Sequence, residues 1–151
     1  MRLDPSDTEA LCGLIIAKGC IALKDEQIEN SLNELLEADP GHLHGMMAAA
    51  RFLIKSPDNA NRFVQLVEKS KASATMVAIA RLVAHIECGG FNAQGTVDSR
   101  VIADLYSQLR VYRQGQQKLG QWQRAISGNI IAYAFERIGC LLYTSPSPRD
   151  S

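Results

Sequence analysis

The chain has 151 residues, of which 46% are hydrophobic and 21% charged, and its 16 Lys and Arg residues balance its 16 Asp and Glu residues. This composition is too apolar for an intrinsically disordered protein, and the zero net charge disfavours binding of polyanions along the whole chain. No stretch approaches the roughly 18 uninterrupted apolar residues of a membrane span, and the N-terminus has no basic-then-apolar signal region. We therefore expect a soluble protein with one domain or a short repeat array.

Helical periodicity runs through the sequence, and strand patterns are almost absent. Asp7 or Ser6 is expected to cap a first helix, which ends before Lys24-Asp25. A second helix places its large apolar residues on one face: Ile28, Leu32, Leu35 and Leu36. It ends before Asp39-Pro40, because proline disfavours the helical conformation in the residue that precedes it.

A third helix is predicted over residues 42–55 and a shorter fourth helix around Phe63 and Val67, with Pro57 at the turn or at the first helical position. Residues 74–88 form the most apolar helix, and we expect it in the middle of the protein because it is apolar almost all round. Gly89-Gly90 is expected to end this helix.

After a loop over residues 91–96, Thr96 or Asp98 is expected to cap the next helix. The last helical region covers residues 118–138, with a candidate break at Ser127-Gly128-Asn129. About seven helices joined by short turns predict an all-α fold. Two architectures fit this pattern, an α-solenoid of stacked antiparallel helix pairs and an irregular helical bundle.

The C-terminal segment has an unusual sequence. Residues 140–150 read C-L-L-Y-T-S-P-S-P-R-D, and all eleven agree with one reading frame of a transposase-type sequencing adapter, which the segment resembles. The resemblance implies that residues 140–151 are a non-native, disordered tail. The helical region would then cover residues 1–139 and be incomplete at its C-terminus.

Two Asp-Pro pairs, Asp4-Pro5 and Asp39-Pro40, are 35 residues apart and enclose a helix–turn–helix. This spacing resembles the tetratricopeptide repeat, which has a period of about 34 residues and a proline that closes its second helix. Residues 11–40 resemble one repeat and residues 42–71 a second one. Ile16 departs from the pattern, because it stands where the family has a small residue and would push the helix pair apart.

Two later segments also resemble this family, but they cannot both be in register. Residues 120–126 resemble the start of a second repeat helix, and residues 135–139 resemble the start of a first one. They are only about ten residues apart, where the family needs about twice that distance. We prefer the first match because it satisfies more positions.

The resemblance implies a non-enzymatic scaffold for protein–protein interactions, without a cofactor, whose partner is another protein or a peptide. In this family the first helix of each repeat lines the ligand surface. In the second repeat that surface is expected to carry His44, Met47 and Arg51. The first repeat contributes only small residues there: Ala10, Gly13 and Ala17.

The sequence contains no motif for nucleophilic, phosphate-binding or metallopeptidase chemistry. His42 and His44 diverge on a helix and do not predict a metal site, and His85 is expected to be hydrogen-bonded and not catalytic. The three cysteines outside the tail have no metal-binding or disulfide spacing, so buried thiols in a reducing, cytoplasmic environment are expected: Cys12, Cys20 and Cys88.

One stretch combines basic and aromatic residues: Tyr106, Arg110, Tyr112, Arg113, Lys118, Trp122 and Arg124. Such a stretch can contact RNA, but a polar helix face with Trp122 packed between helices is the favoured interpretation. A different class of function is the helical accessory region of a larger enzyme, such as a glycosyl- or sulfotransferase, whose catalytic domain is missing from this sequence.

Overall fold

Seven α-helices make up most of the part of the chain that the computed structural model describes: residue 4, residues 6–88 and residues 99–144, with side chains as far as Glu136. They are α1 (Thr8–Cys20), α2 (Asp25–Ala38), α3 (Leu43–Leu53), α4 (Pro57–Lys69), α5 (Ala74–Glu87), α6 (Ser99–Gly115) and α7 (Gln121–Thr144), with a short 3₁₀ helix, Gln116–Lys118, after α6. No strand occurs among these residues, and the predicted all-α class is confirmed. The predicted helix stop, loop and caps over residues 89–98 lie outside the described residues.

Polar side chains cap the N-termini of several of these helices. Each accepts a hydrogen bond from a backbone N–H group that has no partner within the helix. Asp7 accepts such a bond at 3.0 Å from the backbone N–H three residues on, as predicted, and Ser56 and Ser73 do the same at 3.2 Å. Pro57 occupies the first turn of α4, where its fixed φ suits the helix. Helix α4 consequently has 13 residues and is longer than expected.

The helices pack in a regular order. Helices α1 and α2 contact each other and both contact α3, and helices α3 and α4 contact each other and both contact α5. Helix α5 also contacts α6 and α7, which confirms its predicted central position. The odd-numbered helices therefore form a continuous series from α1 to α7.

A single hydrophobic core includes residues from all seven helices. The predicted apolar face of α2 is confirmed, since none of its four large residues is more than 2% exposed. In α1 the buried residues are Leu11, Cys12 and Ile15, whereas Ile16 is 37% exposed and takes no part in the core. Ile16 consequently does not separate the helix pair, contrary to expectation.

Polar side chains add specific links between neighbouring helices. The Lys18 ammonium donates to the hydroxyl of buried Ser31 at 2.6 Å, which satisfies a charge placed within the apolar stripe of α1. Arg62 of α4 pairs with Glu29 of α2, with Nε and Oε1 2.7 Å apart. These links join α1 to α2 and α2 to α4.

Helix α7 is continuous through Ser127, Gly128 and Asn129, so the predicted break is not present. The Ser127 hydroxyl donates to the carbonyl oxygen of Gln123 at 2.6 Å, which satisfies its polar group inside the helix. Burial of Ile130 against the core outweighs the turn preference of this tripeptide. One of the two late repeat-like segments therefore lies at the start of α7 and the other lies within it, so they do not mark the starts of two separate helices.

The backbone of residues 140–144 is also helical, although the resemblance to an adapter implied a disordered tail. A helix that is already nucleated gains a hydrogen bond for each residue added, which favours its extension. Residues 145–151 lie outside the described residues.

Candidate functional site

The three predicted partner-binding residues lie on one side of α3. His44, Met47 and Arg51 stand at positions i, i+3 and i+7, which share a helix face. His44 and Arg51 are exposed and Met47 is half-buried, whereas Met46 and Ala50 are fully buried. Helix α3 thus exposes a narrow strip, which we call the α3 strip and define as His44, Met47 and Arg51.

Two contacts at the first turn of α3 hold this strip in place. His42 Nδ1 accepts a hydrogen bond from the Gly45 N–H at 3.1 Å, so the ring proton is on Nε2, which lies 3.4 Å from Glu9 Oε1 on α1. Gly45 packs so closely against α2 that an added Cβ would overlap the side chain of Leu35. The start of α3 is therefore positioned by α1 and α2 together.

The α3 strip combines one cationic side chain with one flexible apolar side chain. Arg51 forms no ion pair with the described residues, so its guanidinium is available to a carboxylate. Met47 has a flexible, polarisable side chain that adapts to different apolar groups. On α1, which contacts α3, Gly13 and Ala17 are exposed and Ala10 is half-buried, and all three residues are small.

A concave region of about 500 Å³, which we call the groove, lies between α4, α5 and α6. Two ion pairs line it: Glu68 with Arg81, and His85 with Asp104, whose Nε2 and Oδ2 atoms are 2.6 Å apart. Gln108 donates a further hydrogen bond to Asp104 at 3.0 Å. His85 is half-buried and hydrogen-bonded, as predicted.

The two ion pairs hold the charged side chains of the groove in contact with one another. Burial raises the pKa of Asp104, but hydrogen bonds from His85 and Gln108, with the positive charges of His85 and Arg81, outweigh burial and lower that pKa below its usual value. Each charged side chain among the described residues that line the groove has a partner, and these pairs join α4 to α5 and α5 to α6.

Replacing Asp104 with asparagine is expected to reduce stability in a pH-dependent way. Because the pKa of Asp104 is lower in the folded chain, its charge stabilises the fold above the unfolded pKa of about 3.9, and this contribution is lost as the pH falls through the folded pKa. The carboxylate is 40% exposed and screened by water, so Asp104→Asn should cost only about 0.5–1 kcal/mol at pH 7. Urea denaturation at pH 7 and pH 3.5 would measure the difference, and a deficit that stays constant between them would contradict the assignment.

The cysteines do not converge on any site in the described part of the chain. Cys12 is buried, and burial, with the nearby charge of Glu9, raises the pKa of its thiol. Cys20 is exposed and Cys88 is half-buried, so the prediction of buried thiols is wrong for Cys20. No group of three His, Cys, Asp or Glu residues suited to a metal ion occurs among the residues described.

The basic and aromatic stretch does not form one surface. Tyr112 is buried, and its hydroxyl lies 2.9 Å from Ser127 Oγ on α7. Tyr106, Arg110 and Arg113 are exposed on α6, whereas Lys118 ends the short 3₁₀ helix after α6 and Arg124 is on α7. These residues are close together in the sequence, but they are not all close together on the surface of the protein.

Gln123, and not Trp122, links the start of α7 to the rest of the protein. The side chain of Gln123 donates to the Gly41 carbonyl oxygen before α3 and accepts from the Gly120 N–H at 2.9 Å. Trp122 is 82% exposed, so its predicted role between helices is wrong. The position of Gln123 three residues after Gly120 was a sequence signal for its local cap, but not for the contact with Gly41.

These features define an all-α protein of packed helix pairs with an exposed strip on its third helix. The chain matches no protein-family model, and no curated protein or solved structure is significantly similar to it. None of the helices in the described ranges combines the length and apolar character needed to cross a lipid bilayer.

Proposed function

We propose that this protein is a non-enzymatic scaffold for protein–protein interactions, built from tetratricopeptide-like helix pairs. The pairs are α1 with α2, α3 with α4, and α5 with α6. The packing order carries the proposal: the first helix of each pair contacts the first helix of the next, and α2 and α4 each contact the first helix of the pair that follows. Repeat proteins bury the apolar faces of their helix pairs by stacking of this kind.

The spacing of the helices supports the same proposal. Helices α1 and α3 begin 35 residues apart, and α3 and α5 begin 31 residues apart, close to the period of about 34 residues in the family. The hydrogen bond from Gln123 to Gly41 brings the start of α7 next to the start of α3.

The α3 strip is the proposed contact surface for a peptide segment of the partner. Arginine and methionine are enriched at protein interfaces, and the strip offers both beside a surface of small residues on α1. Its chemistry favours a segment that carries one carboxylate and one flexible apolar side chain. The helix backbone that carries the strip is fixed by its packing in the core, so binding needs to order only the side chains.

Peptide selection with the purified chain tests this function. We expect peptides selected from a random phage-displayed library to bind with an affinity that falls about 5- to 10-fold in Met47→Ala and in Arg51→Ala, as measured by fluorescence anisotropy. Lys69→Ala removes the same charge as Arg51→Ala from the exposed end of α4 and is expected to leave the affinity unchanged.

Two results would contradict the proposal. One is a library that yields no binder to the folded chain. The other is a set of binders that respond equally to Lys69→Ala and Arg51→Ala, because that would indicate a general charge effect and not contact with the α3 strip.

A further inference from the structure

Helix α6 carries a second exposed surface, which differs in chemistry from the α3 strip. Tyr106, Leu109, Arg110, Arg113 and Gln114 line a shallow depression of about 420 Å³, which we call the α6 surface. Tyr106 is 56% exposed, and its ring packs edge-on against Phe135 of α7, with ring centroids 5.2 Å apart. The exposed aromatic ring is therefore held in position from one side.

The α6 surface contains two arginines, Arg110 and Arg113. Arg110 and Arg113 are both exposed, and neither forms an ion pair or a hydrogen bond with the part of the chain that the structure describes. By contrast, Arg62 and Arg81 each pair with a glutamate. None of the residues that line the depression is acidic, so the surface keeps a local positive potential.

We propose that the α6 surface binds an acidic peptide segment of another protein, in which carboxylates on both sides of one apolar side chain pair with Arg110 and Arg113. The two arginines are at i and i+3, which places them about 5–6 Å apart at Cβ on one helix face. The apolar side chain packs on Tyr106 and Leu109, which line the same depression as the two arginines. Tyrosine and arginine, with tryptophan, are enriched among the residues that dominate binding energy at protein interfaces.

The positive charge of the α6 surface is too small and too local for nucleic acid. Binding to nucleic acid draws most of its affinity from contacts with many phosphates, whereas this depression offers two guanidinium groups. Lys118, in the 3₁₀ helix after α6, and Arg124, on α7, do not line the depression. An apolar floor beside two cations suits a mixed acidic and apolar peptide better.

This inference goes beyond the proposed function, because it concerns a different helix and does not depend on the α3 strip. Loss of binding at one surface leaves the other unaffected. Variants of Met47 and Arg51 are therefore expected to bind the acidic probe normally, which distinguishes failure of one proposal from failure of the other.

Fluorescence anisotropy on the full chain tests the proposal with a labelled peptide of sequence (Glu-Leu-Glu-Glu)₃ and its glutamine counterpart, (Gln-Leu-Gln-Gln)₃. We expect the acidic peptide to bind at low salt and to weaken at least tenfold in the double variant Arg110→Glu/Arg113→Glu. Tyr106→Ala should weaken binding about fivefold through loss of the apolar contact. The double variant Lys118→Glu/Arg124→Glu makes the same change in net charge outside the depression and should have little effect.

Four results would overturn the proposal. They are equal binding of the glutamine peptide, an equal loss in the matched double variant, tighter arginine-dependent binding of a single-stranded oligothymidylate, and a dimer in sedimentation that the arginine variant converts to a monomer. The last two would assign the surface to nucleic acid or to self-association. Unchanged circular dichroism and melting temperature in Arg110→Gln/Arg113→Gln would show that loss of binding is not loss of fold.

Discussion

Replacing Ile79 with alanine is expected to lower the free energy of unfolding by about 3–4 kcal/mol. Ile79 is fully buried in the middle of α5, the helix that contacts α3, α4, α6 and α7. Removal of three carbon atoms loses their transfer free energy and leaves a cavity that four surrounding helices can close only in part. A loss of this size is a large fraction of the roughly 5–15 kcal/mol that stabilises a typical domain.

Urea denaturation followed by circular dichroism measures this effect. Ile21→Ala is the matched control, because Ile21 is 67% exposed in the turn after α1 and its removal should change stability by no more than about 0.5 kcal/mol. Equal losses for the two variants would show that α5 is not central to the packing. A strongly destabilised Ile79→Ala variant should also lose binding at both proposed surfaces, since α5 supports the helices that carry them.

Replacing Gly115 with alanine is expected to cost about 2–3 kcal/mol through steric overlap alone. A Cβ at Gly115 would overlap Thr75 Oγ1, which is buried at the start of α5. The backbone of Gly115, with φ −111° and ψ −8°, is accessible to any residue, so the cost does not come from backbone strain. Close approach between the end of α6 and the start of α5 is therefore the reason for glycine here.

The same change from glycine to alanine at Gly13 is expected to have the opposite effect on stability. Nothing lies within 4 Å of a Cβ at Gly13, which is exposed in the middle of α1, so alanine should stabilise the protein by about 0.5–1 kcal/mol. Thermal or urea denaturation distinguishes the two signs directly. Thr75→Ala should relieve Gly115→Ala in a double-mutant cycle, and strictly additive losses would contradict the proposed overlap.

Local rules accounted well for individual helices. The cap at Asp7, the place of Pro57 at the start of α4 and the buried face of α2 depend on interactions within four residues along the chain. The same rules were wrong for α7, where Ser127-Gly128-Asn129 has the composition of a turn but continues as helix. Burial of Ile130 in the core supplied the free energy that local preference lacked.

The two candidate surfaces also differ in how far the sequence predicted them. The choice of His44, Met47 and Arg51 came from the resemblance to the repeat family, and helical periodicity placed the three residues on one face of α3. The α6 surface did not, because its stretch of sequence also contains Tyr112, which turns inward to Ser127, and Trp122, which lies on another helix. Sequence order could not separate the residues that share a depression from those that only follow one another.

Composition and periodicity by themselves determined that this zero-charge chain is an all-α protein of about seven helices, because amphipathic patterns and caps act over short distances. Tertiary structure alone decided the pairing of His85 with Asp104, the contact from Gln123 to Gly41 and the lack of a partner for Arg110 and Arg113 among the described residues. These outcomes depend on which helices approach each other, and that follows from the combined packing of side chains far apart in the sequence.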